Sequence, residues 1–213
     1  MNSTLRGRRP GRWLLALALA LAAGGGRLAA DDEYQKIIYW RVGDPAPAFE
    51  LKDDQGGVWK SSRHYGKKYV VVYFYLGDFM DGCTKQAGAY RDALPALAAQ
   101  GAEVVGVSGD EVANHQMFKE RYHLKQTLLS DIDGEVGPAW GLAYSGGGEW
   151  AVKDDAGKEV QLRRGLTESR WTWIVGLDGR VIYKDANPKP EEDAKRVLKF
   201  LTELNESKRS ARP

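Results

Sequence analysis

Apolar residues along this chain fall into short runs separated by polar, glycine-containing stretches, and the period of the runs changes in a regular order. FEL (Phe49 to Leu51) and VWKSS (Val58 to Ser62) flank DDQGG, whose Asp and Gly residues mark a hairpin turn. KKYVVVYFYL, Lys67 to Leu76, is an unbroken run of β-branched and aromatic residues, which predicts a central strand covered on both faces. From Thr84 to Gln100 the spacing turns helical, with Ala87, Tyr90, Leu94 and Leu97 on one side and Gly101 as the stop. AEVVGVS is the next buried strand. EVANHQMFKERYHL reads as an amphipathic helix with Val112, Met117, Phe118 and Tyr122 on its apolar side and His115 and His123 solvated, and TLLSD as a short strand entering an acidic turn.

Beyond Trp140 the pattern loosens. Residues Gly146 to Gly148 read as a flexible connector, since no GK[ST] follows to make a phosphate loop, and the segment Glu149 to Arg164 as an extra hairpin around Asp155 to Gly157. WTWIVGL, DGR and VIYKD form strand, turn and strand. PEEDAKRVLKFLTEL is a terminal helix whose Pro190, Glu191 and Glu192 suit a first turn. An early hairpin, a β-α-β-α-β run, a second hairpin and a closing helix give an α/β chain in the order of a thioredoxin-like fold, with a central mixed β-sheet flanked by helices. One such domain is expected over residues 42–205, followed by a disordered tail at 206–213.

The first thirty residues follow another rule. Arg6, Arg8, Arg9 and Arg12 precede the apolar run Trp13 to Ala23, which is too short to span a bilayer comfortably, and small residues follow it. This is the pattern of a secretory signal peptide or an uncleaved anchor, with residues 31–41 as a linker, and it places the chain in the periplasm or outside the cell, or holds it at a membrane. The remaining composition is that of an ordinary globular protein, 43% hydrophobic and 28% charged. With a formal charge of +2, carried largely by that basic start, nothing points to a nucleic acid partner.

Cys83 is the only cysteine in 213 residues, so no internal disulfide can form. It falls where the central strand gives way to a helix, among the polar or small residues Asp81, Gly82, Thr84 and Lys85. Unpaired N–H groups and the helix dipole at such a place favour a thiolate over a thiol. A single cysteine excludes a C-x-x-C oxidoreductase and a two-cysteine copper carrier, and the three histidines have no acidic or cysteine neighbour at metal-ligand spacing.

YFYLGDFMDGCTKQAGAYRD, GAEVVGVSGDEVANHQMFKERYHLKQTLLSDIDGEVGPAWGL and SRWTWIVGLDGRVIY together resemble the peroxiredoxins, and most closely the bacterioferritin comigratory protein or peroxiredoxin Q group, from about Val42 to the terminal helix. The resemblance implies a thiol peroxidase without metal, flavin, haem or other cofactor. In it Cys83 attacks the O–O bond of hydrogen peroxide or a small alkyl hydroperoxide and becomes a sulfenic acid. Arg170 matches the arginine that these enzymes place beside the thiolate.

The departures are as informative as the match. The family's loop reads P-x-x-x-T-x-x-C; here Leu76 stands at the proline position and Met80 at the threonine position. A thioether is a weak acceptor and donates nothing, so Asp78 and Thr84 become candidates to replace the missing hydroxyl, with Leu76 and Met80 as the other pocket residues. Where group members often carry a second cysteine this chain has Gly88, which implies resolution by an external thiol such as a thioredoxin-like protein, in a monomer or homodimer. A rival expectation is a thioredoxin-fold binding or redox-sensing module that has lost most of its peroxidase chemistry. Trp150, Trp171 and Trp173 are read as cross-strand packing or, alternatively, as the lining of a pocket near Arg170.

Overall fold

A computed structural model describes residues 40–154 and 156–211. The expected leader, most of the linker and the last two residues of the expected tail lie outside the described residues. Strands β1 (Glu50–Asp53), β2 (Val58–Lys60), β3 (Tyr69–Phe74), β4 (Ala102–Ser108), β5 (Thr127–Ser130), β8 (Trp171–Val175) and β9 (Val181–Asp185) form one seven-stranded sheet in the order β2-β1-β5-β4-β3-β8-β9. Strands β3, β4 and β5 are parallel and the remaining pairs antiparallel. The helices are α1 (Asp81–Ala99), α2 (Val112–Tyr122), the short α3 (Val136–Ala139) and α4 (Asp193–Ser210).

The unbroken apolar run becomes β3, fully buried in the middle of the sheet. Its alternation divides the core. Tyr69, Val71 and Tyr73 face Cys83, Ala87, Tyr90 and Leu97 of α1, Phe118 of α2 and Val197 and Leu201 of α4. Val70, Val72 and Phe74 face Trp59, Trp140, Trp173 and Val181 on the other side. Each large side chain so buried contributes about 1.5–3 kcal/mol, and both layers meet at the strand that delivers the chain to Cys83.

Four expectations require correction. The buried face of α2 consists of Asn114, His115 and Phe118 rather than Val112 and Met117, so His115 is interior; only His123, at the left-handed end of the helix, is solvated. Gly146 to Gly148 lie within a ten-residue strand, β6 (Tyr144–Lys153), which pairs with β7 (Glu159–Glu168) as a separate two-stranded sheet. Glycine at 147 has a packing reason, because a Cβ there would stand 1.9 Å from the Arg164 carbonyl oxygen. Pro190 to Glu192 form a turn ahead of α4, not its first turn, and the tail expected to be disordered is helical through Ser210.

Candidate active site

Cys83 is the third residue of α1 and is only 1% exposed. The N-cap of that helix is Met80, whose side chain makes no capping hydrogen bond. A threonine hydroxyl is a favoured cap at such a position and a thioether is not. The first-turn N–H groups therefore lack a side-chain acceptor from residue 80, and the positive end of the helix dipole is directed at the thiol.

Arg170 enters from the residue before β8. Its Nη2 donates to the Cys83 sulfur at 3.3 Å, and its Nη1 donates to Gln86 Oε1. Gln86 lies one helical turn beyond the thiol and is completely buried. Its amide nitrogen donates at 2.7 Å to Asp193 Oδ2, which also accepts from the hydroxyls of Tyr90 and Thr172, both at 2.8 Å. The chain of contacts fixes the amide's orientation: with its NH₂ turned to a carboxylate, its carbonyl must face the guanidinium. Burial is the largest influence on Asp193 and, despite the three donors, holds its pKa above the usual carboxylate value. Gly82 makes room for the arrangement, since a Cβ there would approach Arg170 Nη2 to 3.3 Å.

Among the candidate pocket residues the structure separates those at the site from those behind it. Leu76 lines an open cleft of about 730 Å³ together with Arg170, Trp171, Tyr144, Thr167 and Asn187. Asp78 does not face the thiol as a replacement hydroxyl. It is buried, with Oδ1 accepting from Tyr75 at 2.8 Å and Oδ2 standing 2.8 Å from His115 Nδ1. Thr84 has a buried hydroxyl with no partner among the described residues. Met80 is 40% exposed, and its sulfur accepts from Arg164 at 3.6 Å. Phe79, between Asp78 and Met80, has φ +62°, an uncommon conformation for a bulky residue, and its ring packs edge-on against Phe118 and tilted against Tyr122. Of the tryptophans, Trp171 lines the cleft, Trp173 is buried in the core, and Trp150 stacks on Arg164.

Sequence reasoning missed Gln86, Asp193, His115 and Arg164. Gln86 had a local signal, its i+3 spacing from Cys83 on one helix face. The other three meet the active loop or its supports only through tertiary structure.

Comparison with known proteins decides the family. The AhpC/TSA family model matches residues 42–184. The chain belongs to the AhpC/TSA family. Within that family it is 38% identical to peroxiredoxin Q of Suaeda salsa over 80% of this chain and 73% of the relative. It is 33% identical to peroxiredoxin Bcp of Bacillus subtilis over 78% of this chain and 97% of the relative. The crystal structure of peroxidoxin BcpB from Mycobacterium tuberculosis superposes with a TM-score of 0.64 at 26% identity, covering 82% of this chain and all of the other. That of the bacterioferritin comigratory protein of Xanthomonas campestris, reported for its alkyl peroxide reduction activity, gives 0.60 at 26% identity over 73% and 91%. The chain is thus a peroxiredoxin-type thiol peroxidase with a thioredoxin-like α/β fold, as its sequence implied.

A buried acid also stands at the edge of the cleft. Glu168 has both carboxylate oxygens without a hydrogen-bond partner among the described residues. Burial first, then the charges of Asp131 and Asp110, push its pKa well above the usual glutamate range. A folded pKa above the unfolded one means that the native state holds more protons, so stability is full below about pH 4.3, the ordinary glutamate value, and is lost as pH rises through the folded value. Glu168→Gln is expected to flatten that decline in urea midpoints measured from pH 5 to pH 9. Parallel curves for the two proteins would show that Glu168 does not cause it.

Proposed function

We propose that this protein is an exported, one-cysteine peroxidase that reduces hydrogen peroxide or small alkyl hydroperoxides at Cys83. The observation that carries the reading is the Arg170 N–H on the Cys83 sulfur at 3.3 Å, at the uncapped N-terminus of α1. The Cys83 thiolate attacks one peroxide oxygen and the O–O bond breaks. Sulfur is oxidised to the sulfenic acid, and the leaving oxygen departs as water or an alcohol once protonated. Arg170, whose Nη2 donates to the sulfur, supplies a fixed positive charge beside the thiolate and near the charge that develops as the O–O bond breaks. With no second cysteine, an external thiol condenses with the sulfenic acid, releasing water and leaving a mixed disulfide that a second thiol reduces. The alkyl peroxide activity attributed to the Xanthomonas protein and the volume of the cleft beside Arg170 support organic hydroperoxides as substrates. Export is supported by the residue pattern of positions 1–30.

The test is the second-order rate of Cys83 oxidation by hydrogen peroxide, with Cys83→Ser as the blank. A value on the order of a hundredfold or more above free cysteine is expected from the preorganised donors. A value near that of free cysteine favours the second reading, a redox-sensing or binding module, for which the near-complete burial of the sulfur and the thioether of Met80 are the supporting observations.

A further inference from the structure

The inward face of β7 carries Leu162, Arg164, Leu166 and Glu168 at period two, so a guanidinium is delivered where a strand normally delivers apolar side chains. Arg164 is 8% exposed. Its Nε donates to both Asp110 carboxylate oxygens at 3.1 Å, and its guanidinium carbon lies 4.4 Å from the centre of the Trp150 ring. Its two remaining nitrogens turn to the active loop: Nη1 donates to the Met80 sulfur at 3.6 Å, and Nη2 reaches the Asp78 carbonyl oxygen at 3.5 Å. Position 77 must be glycine for this to fit, because a Cβ there would stand 1.8 Å from the guanidinium.

Asp110 closes the arrangement. The carboxylate that holds Arg164 also accepts the backbone N–H of Asp78 at 2.9 Å and the Ser108 hydroxyl at 2.8 Å. Asp78 is therefore gripped on both sides, through its N–H by Asp110 and through its carbonyl by Arg164, two residues ahead of the N-cap of the helix that bears Cys83.

We propose that Arg164 is a positioning residue for peroxide reduction at Cys83, one that fixes residues 77–80 through the Asp78 carbonyl and the Met80 sulfur where the family's loop has a threonine. The proposal rests on the reading of Cys83 as the peroxide-reducing thiol. Its physical basis is the difference between the two side chains at position 80. A threonine hydroxyl can organise the loop by itself, as donor and acceptor; a thioether has only weak acceptor character and needs a donor brought to it. Arg164 is that donor. It is already desolvated and already paired with Asp110, so holding the loop requires no new burial of charge. The long hairpin β6–β7 thereby gains a role: it carries Arg164 and the Trp150 ring that steadies it.

The experiment measures two rates at Cys83 in the full chain, oxidation by hydrogen peroxide and alkylation by iodoacetamide, in the native protein and in Arg164→Lys and Trp150→Leu. Lysine keeps the charge but cannot span three partners in a plane, and a misplacement of about 1 Å in an active site costs about a hundredfold. Arg164→Lys is expected to lower the peroxide rate by about ten- to a hundredfold, with alkylation within about threefold of native. Trp150→Leu is expected to shift the ratio of the two rates in the same direction by a smaller factor. An unchanged ratio in Arg164→Lys, or a fall in both rates together, overturns the proposal. If that variant does not fold, an unchanged ratio in Trp150→Leu overturns it equally. A native protein that reacts no faster than free cysteine removes the reading and the proposal together, whereas a fast native protein with an equally selective lysine variant removes the proposal alone.

Discussion

Arg170→Ala is expected to slow the oxidation of Cys83 by hydrogen peroxide by about a hundred- to a thousandfold, the usual effect of deleting a preorganised donor at a site of developing charge. The size of the effect follows from what alanine leaves behind. One N–H is lost from the sulfur, so the thiolate has only the helix terminus for stabilisation. The Gln86 carbonyl loses its cationic partner while its amide stays bound to Asp193, so the glutamine cannot rotate to substitute for it. Met80 offers no replacement hydroxyl, so the loss falls on a site with little redundancy. Arg170→Lys restores the charge without the fork and is expected to recover only part of the rate. The check is a competition or stopped-flow measurement alongside a melting curve. A loss below tenfold, with the fold intact, would mean that the helix terminus rather than the guanidinium activates the thiol.

The parts of this site that the sequence made legible are those whose cause is local. Cys83 was legible because an unbroken β-branched run ended just before it and a helical period began just after it, which fixes a strand-to-helix turn. Arg170 needed the family motif, since alone it is one arginine next to a strand. The support behind these two residues was not legible, for a physical reason. Asp193 lies 107 positions from Gln86 and looks like an ordinary first-turn acid of a helix, yet it is buried. Arg164 sits in a sequence of alternating charges whose natural reading is a solvated face, and only the docking of β7 against the loop after β4, marked by the Gly165 N–H to the Gly109 carbonyl at 2.8 Å, turns it inward. His115 was misplaced because periodicity assigns the apolar side of α2 to the interior, whereas here two buried carboxylates outside the helix, Asp78 and Asp110, take His115 and Asn114 as partners. Burial of polar groups is decided by who meets them, and one helix's pattern does not carry that information.

The largest stability effect expected in the molecule follows from this last pair. His115 and Asp78 are both fully buried, with Nδ1 and Oδ2 2.8 Å apart, and Tyr75 donates to the other Asp78 oxygen. Burial alone would strip His115 of its proton, but the charges of Asp78 and Asp110 outweigh it, and the His115 pKa stands above its usual value. Burial in turn pushes the Asp78 carboxyl up, only partly offset by His115. Both partners are thus shifted toward holding a proton, His115 by the charges beside it and Asp78 by burial. His115→Leu leaves the carboxylate buried without its cation and is expected to destabilise the fold by about 3–5 kcal/mol, while the double replacement of Asp78 and His115 by leucines is expected to recover part of that loss. The sign with pH follows from the raised value: the stability that His115 supplies is full below about pH 6.5, the ordinary imidazole value, and is lost as pH rises through its folded pKa, so the deficit of His115→Leu should shrink at alkaline pH. Urea unfolding of the native, single and double variants at pH 6 and pH 9 tests this. A deficit below about 1 kcal/mol at pH 6 would mean that Asp78 takes up a proton of its own and does not need the histidine. Because Asp78 precedes Phe79 and Met80 in the strained approach to the helix, the same variant is expected to lose peroxide rate along with stability, tying the buried pair to the thiol through the backbone of the loop.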